Sequence, residues 1–491
     1  MLHPFPPVLR SLFVLGASSA LVSVSIAQTG VPSEPFSLVG DVYVTDSTTD
    51  LIFRLADLNL DGDANDLGEV TVFYDDTIGA VAFGNNSNIT FGPSGILFVV
   101  DSAEDRIFRL VDLDGNGDAN GPLEATVFFD GDPQVNGSAI DMASPAGLSV
   151  GGNHVVWVAD SNTGTAGLDG ILRLNDLNFD GDANDVGEAI RIYTTPTGIS
   201  LGDSIPSDVV VGADGKLYYV ESSLTGAYAK GIYSLDDIDG NDVIDPLTEV
   251  TAFFIPTPGV LPEFLFTLSQ DGAGYFYISD TGNDVVWRVR DENGDGVITN
   301  ATEASAYMTV PFASQIWEVN AALDGTLICA EDQNPDRVLL VKDTNGDGVI
   351  DLLTEVEEFY SQLLSSVSIQ SPRGLTWERK PTLAIPPTGG LGTTQTGKVT
   401  ATESDFAYVY FSTGLSAPIP LPPFGFLELG VTFPDLFGLF TSNTVPAYVP
   451  LPFPISIPSN PGLVGLQVFF QALVGKVDRF QLSNVQDLTI F

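Results

Sequence analysis

The feature that most limits how this chain can fold is an acidic segment of 13 residues that recurs six times. The copies read DLNLDGDANDLGE, DLDGNGDANGPLE, DLNFDGDANDVGE, DIDGNDVIDPLTE, DENGDGVITNATE and DTNGDGVIDLLTE, and they begin at Asp57, Asp112, Asp176, Asp237, Asp291 and Asp343. Consecutive copies begin 55, 64, 61, 54 and 52 residues apart. A repeating unit of this size indicates a propeller or a solenoid. We call the copies acidic loops 1 to 6 and count positions 1 to 13 within each.

Each unit is predicted to contain four short strands. In the fourth unit, PSDVVVGADG (206–215) is a strand that ends in an Asp-Gly turn, and KLYYVES (216–222) and GIYSLDDI (231–238) follow it. EVTAFFIP (249–256) is the fourth strand and comes directly after the acidic loop. Period-two alternation, β-branched and aromatic residues, and Gly and Asp at the turns support these strands. The sequence therefore predicts an all-β fold, a six-bladed β-propeller.

The first unit lacks an innermost strand before DVYVTDS (41–47), and a matching piece follows the sixth loop. SPRGLTWE (371–378) is similar to SPAGLSV (144–150), which opens the third unit. A C-terminal strand that completes the first blade closes the ring and removes an open sheet edge. We therefore expect residues 28–380 to form the propeller, and the alternative is an open stack of hairpins.

This pattern resembles the NHL-repeat and gluconolactonase/regucalcin-like six-bladed propellers. The matching motifs are the Pro-initiated first strand, the Asp-Gly turn and an acidic-hydroxyl pair after the second strand. The pairs are Asp46-Ser47, Asp101-Ser102, Asp160-Ser161, Glu221-Ser222 and Asp280-Thr281, whereas Glu331-Asp332 departs from the pattern. The resemblance implies the fold and says little about activity, because propellers host many functions.

The acidic loops are predicted to bind calcium. Oxygen-bearing side chains recur at positions 1, 3, 5 and 9, and on a tight loop such alternating side chains converge on one point. The candidate ligands are Asp57, Asn59, Asp61 and Asn65; Asp112, Asp114, Asn116 and Asn120; Asp176, Asn178, Asp180 and Asn184; Asp237, Asp239, Asn241 and Asp245; Asp291, Asn293, Asp295 and Thr299; and Asp343, Asn345, Asp347 and Asp351. Calcium favours such oxygen sets, whereas magnesium needs stricter octahedral geometry. Up to six Ca²⁺ ions are expected, and the alternative is a set of solvated Asx turns.

The loops resemble the calcium loops of integrin propellers, EF-hands and dockerins, with two departures. No helices are predicted beside them, and the acidic residue stands at position 13. That residue either caps the cation or is an exposed start of the fourth strand. Position 6 is Gly except in loop 4, where Asp242 replaces it and makes that site doubtful.

Charge limits the partners that the protein can bind. The chain has 64 acidic residues against 18 basic ones, a formal charge of -46. A nucleic-acid binder needs clustered cations, so that class is excluded. The 44% hydrophobic content excludes an acidic disordered chain, because such chains are poor in apolar residues. Bound calcium would offset part of the self-repulsion of the propeller.

The N-terminus reads as a secretory signal peptide over residues 1–27. Arg10 precedes an apolar stretch, and Ser25 and Ala27 are small residues before a cleavage site near Ala27. The mature protein is expected to be secreted, extracellular or periplasmic, and the alternative is a retained membrane anchor. No later apolar run is long enough to span a membrane.

The C-terminal part differs in composition because charge falls and proline rises after residue 380. We predict a linker over 381–397 and a small β-sandwich-like domain over 398–491. This domain either attaches the protein to a sugar or a surface, through residues such as Phe424 and Phe453, or packs against the propeller.

A central tunnel is the other candidate site. Counting back from each first hairpin places Asn88, Gly147, Asp208, Leu265, Glu318 and Gly374 around the axis. Asn88, Asp208 and Glu318 fall on alternate blades and form a candidate oxygen cluster. Gluconolactonase-like enzymes resemble this in using Glu, Asn and Asp on a central cation, which implies a metal-dependent lactonase or hydrolase. The first expectation remains a binding or scaffold module for an unidentified protein or glycan, with no catalytic residues.

Overall fold

The computed structural model describes residues 40–378 with gaps, and parts of 382–490. The gaps in the first range are 60, 93–94, 152–154, 162–167, 196–203, 223–229, 257–263, 300–301, 312–313 and 323. Those in the second are 385–387, 401–405, 413–414, 421–425, 430–436, 443–450, 458, 465, 477–478 and 483–485. The predicted signal peptide and its cleavage site lie outside the described residues. Among the described residues, no helix combines the length and apolar character that crossing a membrane requires.

Six four-stranded antiparallel sheets form the propeller. Their strands are β1 (Val42–Asp46), β2 (Leu51–Leu55), β3 (Val70–Asp75), β4 (Asn86–Phe91), β5 (Leu97–Asp101), β6 (Arg106–Leu110), β7 (Ala125–Asp130), β8 (Pro145–Val150), β9 (Val156–Asp160), β10 (Gly170–Leu174), β11 (Ala189–Thr194), β12 (Pro206–Val211), β13 (Leu217–Glu221), β14 (Gly231–Leu235), β15 (Val250–Phe254), β16 (Leu265–Gln270), β17 (Phe276–Asp280), β18 (Val285–Val289), β19 (Ala304–Thr309), β20 (Gln315–Ala321), β21 (Leu327–Asp332), β22 (Arg337–Val341), β23 (Val356–Ser361) and β24 (Pro372–Trp377).

The ring closes as the sequence predicts. Blade 1 has the strand order β24-β1-β2-β3, so its innermost strand comes from the far end of the propeller sequence. β24 pairs antiparallel with β1, with Val42 opposite Trp377 and Val44 opposite Leu375. The other five blades are each built from four consecutive strands. The six-bladed, all-β architecture is confirmed.

Apolar side chains fill the spaces between neighbouring blades. The second strands β1, β5, β13 and β17 are buried along their whole length, because both faces of a blade pack on neighbours. Between blades 1 and 2, the ring of Tyr43 lies edge-on to Phe73 and Phe91, with centroids 4.9 and 4.8 Å away. Ile328 and Leu340 of blade 6 pack in one cluster with Leu375, so the closing strand also joins the core.

A buried acid at the end of each second strand fixes the chain that leads into the innermost strand. Asp101 accepts from the backbone N–H of Gly84 at 2.6 Å and of Asn85 at 3.1 Å. Asp46, Asp160, Glu221 and Asp280 accept in the same way from the backbone N–H groups of Gln370, Ala143, Ile205 and Phe264, and Glu331 accepts from the hydroxyl of Ser314. The acidic-hydroxyl motif is therefore structural, and Glu331 fills the same role despite its different sequence context.

Each acidic loop is also joined to the blade before it. The residue at position 8 is a buried Ala or Ile, and its N–H donates to a carbonyl of the preceding blade's fourth strand at 2.6 to 2.8 Å. The pairs are Ala64 with Phe359, Ala119 with Phe73, Ala183 with Phe128, Ile244 with Ile192, Ile298 with Phe253, and Ile350 with Tyr307. The first pair links blade 1 to blade 6, so these inter-blade bonds run around the complete ring.

The chain divides into two compact units, and Pro35–Arg379 is the propeller. The strands after it are β25 (Thr382–Ala384), β26 (Thr388–Gly389), β27 (Thr394–Thr400), β28 (Phe406–Ser412), β29 (Leu415–Pro420), β30 (Phe426–Leu429), β31 (Phe437–Ser442), β32 (Leu451–Ser456), β33 (Gln467–Lys476), β34 (Arg479–Leu482) and β35 (Gln486–Ile490), with a 3₁₀ turn at Pro461–Leu463.

This second unit contains three described sheets. One has the order β25-β27-β32, and a larger one has the order β26-β35-β33-β28-β31. The stretch 381–397, predicted as a linker, contributes β25, β26 and the start of β27 to these sheets. Phe424, proposed for surface attachment, lies outside the described residues.

Candidate functional sites

The side chain at position 1 organises each acidic loop. In loop 2, Asp112 accepts from the N–H groups of Gly115, Asn116 and Gly117 at 2.7 to 3.2 Å. The bond from the position-6 N–H is present in all six loops at 2.8 to 3.0 Å. The oxygens at positions 3 and 5 accept from the N–H groups of positions 5 and 7, as in Asp114 and Asn116. The predicted ligand oxygens therefore line the inner side of one turn.

Loop 4 keeps this geometry without glycine. Asp242 has φ of 65°, in the left-handed region that the five position-6 glycines also adopt. Its N–H donates to Asp237 at 2.9 Å, as glycine does elsewhere. Aspartate reaches this region more easily than most residues. The replacement therefore leaves the turn intact.

The position-13 glutamates are buried at the base of the loops. Glu124 accepts from the N–H groups of Leu113, Asp114 and Gly121 at 2.7 to 3.1 Å. Glu69, Glu188, Glu249, Glu303 and Glu355 are likewise buried and accept from their own loops. The alternative that they are exposed residues at the start of the fourth strand is wrong, because all six are buried. Those of loops 1 to 4 and 6 also bridge the first and last parts of their loops, whereas Glu303 accepts from Thr299.

Two loops bring three carboxylates together. In loop 2 the group is Asp112, Asp114 and Glu124, and in loop 4 it is Asp237, Asp239 and Glu249. One oxygen of each residue lies within 4.8 Å of the others, so each triad could hold a metal ion. Both loops have Asp at position 3 and Asn at position 5, whereas the other four have the reverse order. Every loop thus has three acids among positions 1, 3, 5 and 13, and only the order of the middle pair differs.

The side chains at position 9 divide into two groups. In loops 1 to 3 the Asn Oδ1 accepts from the fourth strand of the preceding blade at 2.9 Å: Asn65 from Ser361, Asn120 from Asp75 and Asn184 from Asp130. In loops 4 and 6, Asp245 and Asp351 accept from Leu247 and Leu353 within their own loops. Position 9 therefore joins neighbouring blades in the first three loops.

Arginines from the third strands approach three of the loops. Arg173 of β10 contacts Asp242 of loop 4 at 2.5 Å, and Arg288 of β18 lies 3.7 Å from Asp343 of loop 6. Arg54 of β2 lies beside Gly117 of loop 2, 3.4 Å from where a Cβ there would stand. These cations partly offset the charge of the loops, and they come from the blade before each loop.

Bulges in the innermost strands determine which residues stand at the predicted tunnel positions, called the ring below. In blades 2, 4 and 6 the pairing shifts just before Asn88, Asp208 and Glu318, which stand opposite Val100, Val220 and Ala330. All three are buried. The structure therefore gives these predicted residues one common register on alternate blades.

The ring position predicted for blade 5 is wrong. Leu265 lies in the apolar core between blades 4 and 5, and the ring register instead falls on Thr267. The Thr267 N–H and hydroxyl contact Ser279 Oγ, and Ser279 precedes the second-strand acid Asp280 as Val100 precedes Asp101. The turn of this blade has the same length as those of blades 2, 4 and 6, but its turn glycine is Gly274 and not Gly272 of the Asp-Gly pair, so counting back from Gly272 misplaces the ring by two residues.

Asn88 and Glu318 meet across the closing strand. Asn88 Nδ2 donates to Glu318 Oε2 at 3.1 Å, although the two residues belong to blades 2 and 6. Gly374 of blade 1 stands between these blades, and a Cβ there would lie 2.7 Å from the Cα of Asn88. Gly147 is equally constrained, since its Cβ would lie 2.2 Å from Asp208 Oδ1. The two ring glycines therefore make room for the polar residues beside them.

Burial alters the acidity of the tunnel carboxyls. Asp208 accepts from the N–H groups of Val209 and Leu268, yet burial raises its pKa to about 7. Burial, and then the charge of Asp208, raise the pKa of Glu318 well above its ordinary value. The two acids therefore disfavour simultaneous ionisation, and a cation between them would reverse this preference.

No protein-family model and no curated protein matches the chain. The propeller is distantly similar to solved six-bladed structures. Virginiamycin B lyase from Staphylococcus aureus is 16% identical with a TM-score of 0.40, over 74% of this chain and 88% of that one. A gluconolactonase from Xanthomonas campestris is 13% identical with a TM-score of 0.41, over 73% and 94% of the two chains. Similarity this low carries no functional argument.

Proposed function

We propose that the protein is a secreted, calcium-loaded propeller that acts as a binding or scaffold module. The observation that carries this proposal is the position of the acidic loops at the blade interfaces. Position 8 of every loop is hydrogen-bonded to the preceding blade, so an ion that fixes a loop also fixes an interface. The carboxylate triads of loops 2 and 4 supply the donor set that a hard cation requires.

The proposed ligands are the side-chain oxygens at positions 1, 3 and 5, with the position-13 glutamate as a fourth donor. In loops 4 and 6 the position-9 carboxylates of Asp245 and Asp351 can join them. In loops 1 to 3 the position-9 oxygen is engaged by the preceding blade, so we propose ligand sets without it there. Such mixed carboxylate and amide sets favour Ca²⁺ over Mg²⁺ because their geometry is not octahedral.

Scanning calorimetry of the mature chain tests this proposal. Extracellular calcium modules bind with dissociation constants of about 10⁻⁴–10⁻³ M. At calcium about a hundredfold above the dissociation constant, each site contributes roughly 2.7 kcal/mol. EDTA should therefore lower the melting temperature strongly, calcium should restore it, and magnesium should restore little. Identical melting curves in calcium and EDTA would show that the loops are solvated turns.

We propose a metal-dependent hydrolase or lactonase as the second candidate. The contact between Asn88 and Glu318 supports it, together with Asp208 on the same ring. A cation held by these three residues could polarise a lactone or ester carbonyl or activate water. A panel of lactones and aryl esters should then be hydrolysed in calcium and not in EDTA. Glu318→Gln should abolish hydrolysis, whereas wild-type protein without metal-dependent turnover would contradict this candidate.

A further inference from the structure

The acidic loops expose apolar side chains to an unusual degree. Among the described residues, 19 large hydrophobic side chains are exposed, and 13 of them lie in loops 1, 2, 3, 4 and 6. Each loop is only 13 residues long, so this is a strong concentration. We call the most exposed six the apolar crown: Leu67, Leu123, Phe179, Val186, Leu247 and Leu353, which are 74 to 92% exposed.

The loops hold these side chains in fixed places. Glu69 accepts from the N–H of Leu58 at 2.9 Å and of Asp66 at 3.0 Å, so Leu58 and Leu67 stand at the same corner of loop 1. Glu249 links Ile238 and Asp245 in the same way in loop 4. Leu67 and Leu247 are each 90% exposed and do not pack in the core. The need to bury apolar surface therefore does not explain why these positions are leucine.

The charge around the crown limits what can cover it. None of the six loops contains a Lys or Arg, and each contains at least three acids. A second copy of the chain would bring the same sign of charge to the interface. An anionic membrane would be repelled for the same reason. A protein surface that carries both lysine or arginine and apolar side chains complements the crown in both respects.

We propose that the crown is a docking surface for a cationic, partly apolar protein surface. This inference rests on the proposed binding role and names the partner's chemistry, but it does not require calcium in the loops. The described part of loop 5, 291–299 and 302–303, exposes no large hydrophobic side chain and has Glu292 at position 2. The partner therefore contacts the arc from loop 6 through loops 1 to 4.

A fluorescent amphipathic helix built only from Leu and Lys is a suitable probe. Its control is the same peptide with Gln in place of Leu. Fluorescence anisotropy with the mature chain is compared for a triple variant in the neighbouring loops 2 and 3, Leu123→Ser, Phe179→Ser and Val186→Ser, and for the control triple Ile78→Ser, Leu363→Ser and Leu364→Ser. The control residues are also exposed but follow fourth strands instead of lying in the loops. Both triples leave the charge unchanged.

The crown triple should weaken Leu-Lys binding about tenfold or more, since three apolar contacts are lost. The control triple should change it less than twofold, and the Gln-Lys peptide should bind all three proteins equally weakly. Equal binding by the two triples, or equal binding of the two peptides by the wild type, would overturn the proposal. A dimer in sedimentation that the crown triple abolishes, or crown-dependent binding to phosphatidylserine vesicles, would assign the surface to a second copy or a membrane instead.

These outcomes are separate from the calcium test. Titrations are run in calcium and in EDTA, with the fold checked by circular dichroism. Crown-dependent binding together with identical melting curves would reject calcium loading and retain the docking surface. A calcium-dependent melting temperature without crown-dependent binding would do the reverse.

Discussion

The loop glutamates and the tunnel acids are equally buried, yet their surroundings oppose each other. Each loop glutamate sits among backbone N–H groups of its own loop, and those of Asp351, then Asn345 and Thr344, lower the pKa of Glu355. Glu318 accepts from Asn88 Nδ2 and the Val319 N–H, but burial and then the charge of Asp208 raise its pKa. Burial alone therefore does not decide whether a carboxyl is ionised in this protein.

The difference separates two kinds of site. Backbone N–H groups already solvate Glu355 and lower its pKa, so this acid stays charged whether or not a cation is present. The tunnel holds its acids in an environment that favours protonation or an external cation. A cation in the loops therefore adds to an existing hydrogen-bond framework, whereas a cation in the tunnel would have to displace protons.

The largest effect should come from removing a loop glutamate. Glu124→Ala leaves the N–H groups of Leu113, Asp114 and Gly121 without their acceptor. These bonds are part-buried and have a charged acceptor, a kind that contributes about 1.5–3 kcal/mol each, and water can replace part of them, so a loss of about 3 kcal/mol is expected. Urea unfolding in EDTA measures this without any contribution from calcium.

The matched control is Glu124→Gln, which keeps an acceptor oxygen at the same place and should lose clearly less stability than the alanine variant. If both variants unfold at the wild-type urea concentration, the N–H groups do not depend on Glu124. The proposed contrast with the tunnel would then fail.

Removing the charge of a tunnel acid should increase the stability of the protein, whereas removing a loop glutamate should lower it. Burial raises the pKa of Asp208 from an ordinary 3.8 to about 7 in the folded chain. The folded chain therefore binds this proton more tightly, so the associated stability is complete below the unfolded pKa and is lost as pH rises through about 7. Asp208→Asn removes this loss, so its stability relative to the wild type should increase between pH 5 and pH 8, by a few kcal/mol in order of magnitude.

Urea unfolding in EDTA at several pH values measures the difference. Asp132→Asn, at an exposed position, is the control and should show no such trend. A flat difference for Asp208→Asn would mean that this carboxyl is not forced toward protonation. If calcium occupies the tunnel, the sign should reverse in its presence, because the variant then loses a ligand.

The sequence predicted the blades because they depend on local patterns. Spacing, alternation and turn residues recur within each unit, and the similarity of 371–378 to 144–150 was enough to predict closure. The ring positions of blades 2, 4 and 6 also followed from counting back along one strand. Leu265 is two residues off because the Asp-Gly pair of this blade, Asp271-Gly272, precedes the turn glycine Gly274, and the count starts from the first of the two glycines.

The inter-blade contacts could not be predicted in the same way. Ala64 bonds to Phe359 and Asn65 to Ser361, almost 300 residues away along the chain. The sequence carries one indication of these contacts, since position 8 is the one position of the acidic loops that is Ala or Ile in all six copies. An apolar residue repeated inside an acidic loop indicates a buried contact, but the sequence does not identify the neighbouring blade that supplies it.

Asn120 tests whether position 9 joins blades or binds calcium in the first three loops. Asn120→Ala removes the acceptor for the N–H of Asp75 and should cost about 1 kcal/mol. As an inter-blade contact, the loss should be the same in calcium and in EDTA. Asn120→Asp keeps the acceptor and should be milder. A loss that occurs only in calcium would restore Asn120 to the ligand set.

The smallest effect should come from Arg173, which pairs with Asp242 beside loop 4 at 2.5 Å. The pair is partly exposed, so Arg173→Ala should cost less than about 1 kcal/mol in EDTA. In calcium the sign should reverse, because removing a cation makes loop 4 more negative and strengthens its hold on Ca²⁺. The gain in melting temperature on adding calcium should therefore be larger for the variant than for the wild type. Arg106→Ala breaks a pair with Asp130 outside the acidic loops and should leave that gain unchanged. An unchanged gain for Arg173→Ala as well would mean that loop 4 binds no cation, and that its triad is held by backbone N–H groups alone.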